Sequence, residues 1–388
     1  MRSFILAAGL AVALAPAAAL AGPLEIRFCP AAQARPYPLE SRRDLQGLIL
    51  QNVAVIDTGA SPAEIQEIDI DLMRGGEAID TRRLKGADLE KAGKRGAAIQ
   101  GSGMLSSIGF EFCGDKMIGP GIKLGGPALG SHEALLIFQQ GFAYQGPRDA
   151  VRVRVKASAA GAPADVDASL PIVAGVSRTA FRFPLKGTWF VAVGPTLHTG
   201  HRWALPEEFA FDIARIGEGN ASHKGDGTRF ADYFAYGAEV LAAAAGKVVA
   251  AEGGTAEDPA ALRRPGESLE AYGDRVGQLQ DALIAKGHAA LAGDYVMIDH
   301  GGGEYSLYAH LRPGSVKVKP GDDAVKAGQS IAQLGSSGNS TEPHLHFQVC
   351  DAPDPLACAG IPIKFQGVSL PFADYPRPLQ SGDIVVAP

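Results

Sequence analysis

The sequence predicts a mostly β protein in two parts: a β-sandwich-like amino-terminal half, then a second β-rich half broken by one helix. Three observations carry this. Runs of apolar–polar alternation recur from Leu24-Glu25-Ile26-Arg27-Phe28 to Gln329-Ser330-Ile331-Ala332-Gln333-Leu334, and period two marks a half-buried strand. Glycine supplies 49 of 388 residues, well above its usual share of about 7%, and Gly, Pro and Asp turns punctuate the runs. One long stretch, about 253–293, interrupts the strands. Within it Leu269, Tyr272, Val276, Leu279 and Leu283 recur at intervals of three and four, the spacing of an amphipathic helix expected to pack onto the sheet.

The chain is long enough for two domains and more than one core. A net charge of −6 and the lack of a basic block argue against a nucleic-acid partner. At the start, Arg2 precedes an apolar run from Phe4 to Leu20, which ends in Ala19-Leu20-Ala21. That is the pattern of a cleaved signal peptide over 1–21, and it implies a periplasmic or secreted protein with no membrane span after cleavage. Four cysteines in an exported chain fit two disulfides, Cys350 with Cys358 and Cys29 with Cys113. Spacing does not decide the pairing. A thiolate metal site is the alternative, and no Cys-x-x-Cys supports it.

Residues 22–174 alternate at Gln66 to Leu72, Ala150 to Val155 and Ala164 to Leu170, with a further candidate strand at Ser106 to Phe112 and a short charged helix between Leu84 and Gly93. Nothing there groups His, Cys, Ser and carboxylates at catalytic spacing, and His132 is alone. This half reads as a binding, spacer or regulatory domain. The second domain, 175–388, opens at Phe181 to Gly187. Strands follow at Thr188 to Val193, Glu208 to Ala214, Gly237 to Ala242 joined by a turn to Gly246 to Ala250, and a hairpin around Gly301-Gly302-Gly303.

The densest chemistry lies in Thr341-Glu342-Pro343-His344-Leu345-His346-Phe347-Gln348-Val349. On a strand, His344, His346 and Gln348 share one face, while Leu345, Phe347 and Val349 turn to a core. Taken alone, two such histidines are better explained as exposed edge residues. With His201, Asp212 and His310 they form a larger set. Imidazoles plus one carboxylate can hold zinc with a coordination position left open, and zinc lowers the pKa of bound water to about 7. Two spare histidines can then move protons or stabilise a tetrahedral intermediate.

From Gly237 to Val349 the chain resembles the lysostaphin-type (LytM-like) zinc endopeptidases, which cut peptide cross-links in bacterial cell walls. The matching pieces are Val240-Leu241-Ala242, Gly246-Lys247-Val248-Val249, Tyr295 to Gly301, Tyr308-Ala309-His310-Leu311, Lys319-Pro320-Gly321-Asp322 and Gly335 to Phe347. The resemblance implies a small antiparallel sheet with loops walling a groove. It implies zinc as cofactor, His346 and Asp212 as ligands, and His310 and His344 as catalytic residues. The family usually sets its first ligand as His-x-x-x-Asp, but here Glu208 stands four residues before Asp212. His201, in Gly200-His201-Arg202, is the preferred first ligand. Glu208, on the same face of the expected strand, and His198 are the alternatives. His223 is expected to be exposed, His300 to be structural or exposed, and His288 to suit a helix carboxy terminus. The function implied is exported, zinc-dependent hydrolysis of peptidoglycan peptides. The other reading is an inactive module that binds and regulates other wall hydrolases.

Overall fold

The computed structural model describes residues 23–103, 112–113, 117–321 and 324–388. The signal segment expected over 1–21 lies outside them, as does the strand expected at 106–112 except for its last residue. Among the described residues no helix is long and apolar enough to cross a membrane.

The amino-terminal half is built from β1 (Leu24–Cys29), β2 (Leu45–Asp57), β3 (Ala63–Arg74), β4 (Glu77–Lys85), α1 (Ala87–Gly101), β5 (Glu133–Gln145), β6 (Ala150–Ala159) and β7 (Val166–Pro171). One sheet runs β1-β2-β5 and the other β4-β3-β6-β7, each extended by short strands. Alternation sends Leu48, Leu50, Val53 and Val55 of the first sheet against Ile68, Ile70, Val151 and Val153 of the second. This is a sandwich sealed by one apolar core. The helix expected between Leu84 and Gly93 begins later. Leu84 still belongs to β4, Gly86 turns the chain with φ of 50°, and α1 follows. The described disulfide Cys29–Cys113 ties β1 across this half.

The outer face of β2 and β5 is not solvated. Ala54, Ile56, Leu136 and Phe138 form a second, smaller core with Leu205, which belongs to the other half of the chain.

The carboxy-terminal half comprises β8 (Gly187–Val193), β9 (Phe211–Ala214), β10 (Glu239–Leu241), β11 (Lys247–Glu252), α2 (Leu269–Ile284), α3 (Ala289–Ala292), β12 (Asp294–Asp299), β13 (Tyr305–Leu311), β14 (Ser330–Gln333), β15 (Leu345–Cys350) and β16 (Ile384–Ala387). Its main sheet is antiparallel, in the order β11-β12-β13-β15-β9-β8-β16. β12 and β13 form the hairpin expected around the three glycines. β10 and β11 do not pair with each other: β10 pairs with β14, and β11 with β12. Between them, buried Ala242, Ala243 and Ala244 carry the chain through the core, where small side chains let the backbone cross from one sheet to the other.

The inserted helix departs from expectation. α2 has no buried residue, and Leu269 is 72% exposed. It does not lie on the sheet. Val276, Leu279 and Leu283 line one wall of a groove of about 380 Å³, whose other wall includes Gly338 to Thr341. Ser268 caps its start, accepting from the Ala271 amide, and Arg275 pairs with Glu267. These local bonds stabilise a helix that tertiary packing supports little.

On the outer face of β3, the fully buried Asp71 carboxylate accepts from Thr81, Arg152 and Arg154. Burial opposes its charge, but the Arg154, Thr81 and Arg152 hydrogen bonds outweigh that and hold its pKa at about 2. A depressed carboxylate stabilises the fold above its unfolded pKa and loses that contribution as pH falls through the folded value. Denaturant melts should therefore lose on the order of 2 kcal/mol between about pH 4 and pH 2. Asp71→Asn should flatten that slope.

Candidate metal centre

The centre forms where three strands of the main sheet meet. β15 is buried along its whole length. Leu345, Phe347 and Val349 enter the core, and the Phe347 ring packs against Tyr308 and Phe365 at 5.1 and 5.5 Å between centroids. His346 and Gln348 are thereby turned to the opposite face, as alternation requires. Antiparallel pairing puts Asp212 of β9 directly opposite His346, and Ala309 of β13 opposite it on the other side. His310, the next residue, has φ of 60°, a left-handed backbone that non-glycine residues seldom adopt. Its ring lies 4.8 Å from that of His344 and 5.8 Å from that of His346.

Asp212 is the hub. Its Oδ1 lies 3.0 Å from His346 Nδ1 and 3.5 Å from His344 Nε2, and its Oδ2 lies 3.4 Å from His201 Nε2. One ligand atom each from His201, Asp212 and His346 falls within 4.8 Å of the others. Burial raises the Asp212 pKa, but His201, His344 and His346 outweigh it and hold the carboxyl well below its usual range. Two imidazole nitrogens and a carboxylate oxygen are a donor set that fits zinc.

The nitrogens are oriented from behind. Gln348 Nε2 donates to Pro355 O at 2.9 Å, so its Oε1 accepts from His346 Nε2 at 2.8 Å. His346 Nδ1 is left facing Asp212. Burial disfavours charge on this ring, yet the Asp212 carboxylate raises its pKa to about 9, so a cation held here displaces a proton. Pro355 sits in the loop closed by the Cys350–Cys358 disulfide, at the end of the same strand. His310 Nδ1 donates to Ser337 O at 2.8 Å, and His344 Nδ1 to Glu342 O at 2.8 Å. Both turn Nε2 away from those carbonyls, and that of His344 faces Asp212. Burial, then the positive charge of His344 and His346, pushes His310 well below its ordinary value, so it is neutral. His344 is raised, since Asp212 outweighs burial.

The structure brings His201 beside Asp212. It does not bring Glu208 there. β9 begins only at Phe211, so Glu208 does not share a strand face with Asp212. Glu208 is buried and bound to the guanidinium of Arg202, itself fully buried. A buried cation requires such a partner, which is the pressure that alternation in the sequence concealed. His198 is exposed. His300 is structural, holding Ala245 O and Ser306 Oγ at 2.8 Å each. His223 packs against Tyr233. His288 stands at the start of α3, not at the end of α2, and faces Asp354 at 3.2 Å. Sequence reasoning gave no role to Gln348, although its place two residues after His346 was visible. It also missed Glu207, whose Oε2 lies 3.7 Å from His201 Nε2, and the Ser337 carbonyl, which no side-chain pattern announces.

Residues 270–357 match peptidase family M23, and the resemblance to the lysostaphin-type enzymes holds. The matched stretch contains His310, His344 and His346; His201 and Asp212 lie upstream of it. Similar curated proteins include the peptidoglycan DD-endopeptidase ShyB of Vibrio cholerae, 45% identical over 58 residues, or 15% of this chain and 13% of that protein. Lysostaphin of Staphylococcus simulans is 50% identical over 52 residues, 13% of this chain and 10% of its own. The DD-carboxypeptidase/endopeptidase Mpg of Neisseria meningitidis is 41% identical over 69 residues, 18% of this chain and 15% of its own. The chain thus spans 10% to 15% of the length of these relatives. Among solved structures, the lysostaphin catalytic domain from Staphylococcus simulans aligns with 45% of this chain and 88% of its own at 20% identity, with a TM-score of 0.24, a likeness too distant to bear on the geometry.

Losing the outer partner of a ligating histidine commonly weakens metal binding about 10- to 100-fold. With His346 as a ligand, Gln348→Leu should raise the zinc dissociation constant by that factor in a chelator competition. Glu208→Gln should leave zinc stoichiometry unchanged while lowering the melting temperature, because Arg202 loses its counter-charge.

Proposed function

We propose that this chain is an exported, zinc-dependent endopeptidase that hydrolyses peptide bonds in the stem or cross-link peptides of peptidoglycan. The observation that carries the reading is the convergence of His201, Asp212 and His346 on one point, with His310 and His344 at its rim. The M23 match and the wall-cleaving activities named for the relatives support the substrate class. In this reading His201, Asp212 and His346 hold the metal. When bound, zinc supplies a Lewis acid that makes water nucleophilic near neutral pH.

The rest falls to side chains of the chain. His310 and His344 each have Nδ1 tied to a backbone carbonyl, so each turns Nε2 to the site, that of His344 beside Asp212, where it can take or return a proton as the tetrahedral carbon forms and the amine departs. The three histidines around it keep Asp212 ionised against the cost of its burial, and Gln348 keeps the His346 ring from turning. The rigid apolar side of β15 keeps these groups in register. The cellular setting that follows is the periplasm or the exterior, with the wall as partner.

The mature protein should copurify with zinc and lyse isolated walls. His346→Ala should lose both. His344→Ala and His310→Ala should keep the metal yet lose about 10²-fold or more in rate. A chain that holds no zinc, and gains no lysis when zinc is added, would instead be a wall-binding regulator of other hydrolases.

A further inference from the structure

Of the histidines at the centre, His201 is held differently. His310, His344 and His346 each bond a carbonyl or amide oxygen through the nitrogen turned away from Asp212 or from the site. His201 Nδ1 is buried and has no hydrogen-bond partner among the described residues. Nor does His201 lie on a strand. It opens a single turn, His201–Trp203, so beyond its Nε2 contacts with Asp212 and Glu207 the place of its ring is set by that turn.

The turn is anchored to the sandwich. Gln51 of β2 donates to Arg202 O at 3.3 Å, and Gln139 of β5 donates to Trp203 O at 2.6 Å. Gln51 and Gln139 stand opposite each other between the pairs Leu50↔Gln140 and Asn52↔Phe138, where the ladder between the two strands is interrupted. Gln139 also has a positive φ of 26°. The Arg202 guanidinium crosses the same boundary to Gly47 O at 3.1 Å while holding Glu208. Leu205, just after the turn, is buried in the sandwich's outer core. A side chain on Gly141 would meet the Trp203 ring at 3.0 Å, so the surface under the turn is fitted closely to it.

We propose that the amino-terminal sandwich is a structural part of the metal centre, with Gln51 and Gln139 as positioning residues that act on the metal through His201. The inference rests on His201 being a zinc ligand, as in the function proposed above. The sandwich then supplies from outside the peptidase sheet the orientation that Gln348 supplies to His346 from within it. The bond to the Arg202 carbonyl is buried and that to the Trp203 carbonyl part-buried, so removing their donors frees the turn and leaves acceptors unmet.

The test uses the full mature chain carrying Gln51→Leu with Gln139→Leu. Its control is Thr81→Val, which removes a hydrogen bond to Asp71 inside the sandwich and touches nothing near the turn. Zinc affinity is read by chelator competition. Amide exchange is read at Trp203 and Ala204, whose N–H groups bond to Gly200 and His201 carbonyls. The double variant should bind zinc at least about tenfold more weakly and exchange those two amides at least tenfold faster, with near-UV circular dichroism retained. Thr81→Val should match the parent in both. Unchanged zinc affinity in the double variant, or an equal loss in Thr81→Val, overturns the proposal. Should the parent chain take up no zinc, the enzymatic reading is what fails. The exchange of Trp203 and Ala204 then decides the anchor alone, and no acceleration overturns it.

Discussion

The register between β9 and β15 is the constraint on which the centre depends. It sets Asp212 opposite His346, and every other contact of the site is measured from that pair. Side chains alternate with a period of two, so a slip of one residue would send Phe347 into the polar cleft and His346 into the core. The register is held by the apolar side of the same strand, where Leu345, Phe347 and Val349 are buried. Burying each of these contributes about 1.5–3 kcal/mol, and a slipped strand would forfeit it. Packing on one face thus enforces chemistry on the other. The polar face also excludes alternatives, because a misplaced Asp212 would be an uncompensated buried charge.

Much of this was legible in the sequence because β15 obeys a simple rule. His-Leu-His-Phe-Gln-Val alternates cleanly, and both its faces do what alternation predicts. The sandwich and the hairpin at Gly301 to Gly303 were readable for the same reason. Glu208 shows where the rule misleads. Glu208 to Ala214 also alternates, and Phe209 and Phe211 are both buried, yet only the last four residues are strand. Phe209 is buried beneath Arg202 and beside Tyr37, a contact with the other half of the chain that local periodicity cannot encode. α2 fails in a related way. Its apolar stripe is real, but the stripe faces a groove and not the sheet. Periodicity reports that a face is apolar and says nothing of what it meets.

Contacts made by backbone carbonyls were wholly illegible. Ser337, Glu342 and Pro355 each orient a group of the site through a main-chain oxygen, and any residue type could do so. The anchoring of the His201 turn belongs to the same class, since Gln51 and Gln139 reach carbonyls, not side chains. Sequence motifs record what touches the chemistry. The supports beneath them are spread over distant strands and loops, and only the folded chain brings them together.

The left-handed backbone of His310 has a consequence for what selection must defend. Residues other than glycine held in sparsely populated backbone regions cost on the order of 1–3 kcal/mol, so the chain is less stable for keeping an imidazole there. Glycine, or asparagine, would relax the backbone there but forfeit the bond from the buried His310 ring to the Ser337 carbonyl. Under the proposed catalytic role the strain is kept for the sake of the imidazole, and a lineage freed from the need to cut would lose that reason to keep His310. Whether a related chain retains a bulky residue at this point is thus a record of which of the two pressures it has lived under.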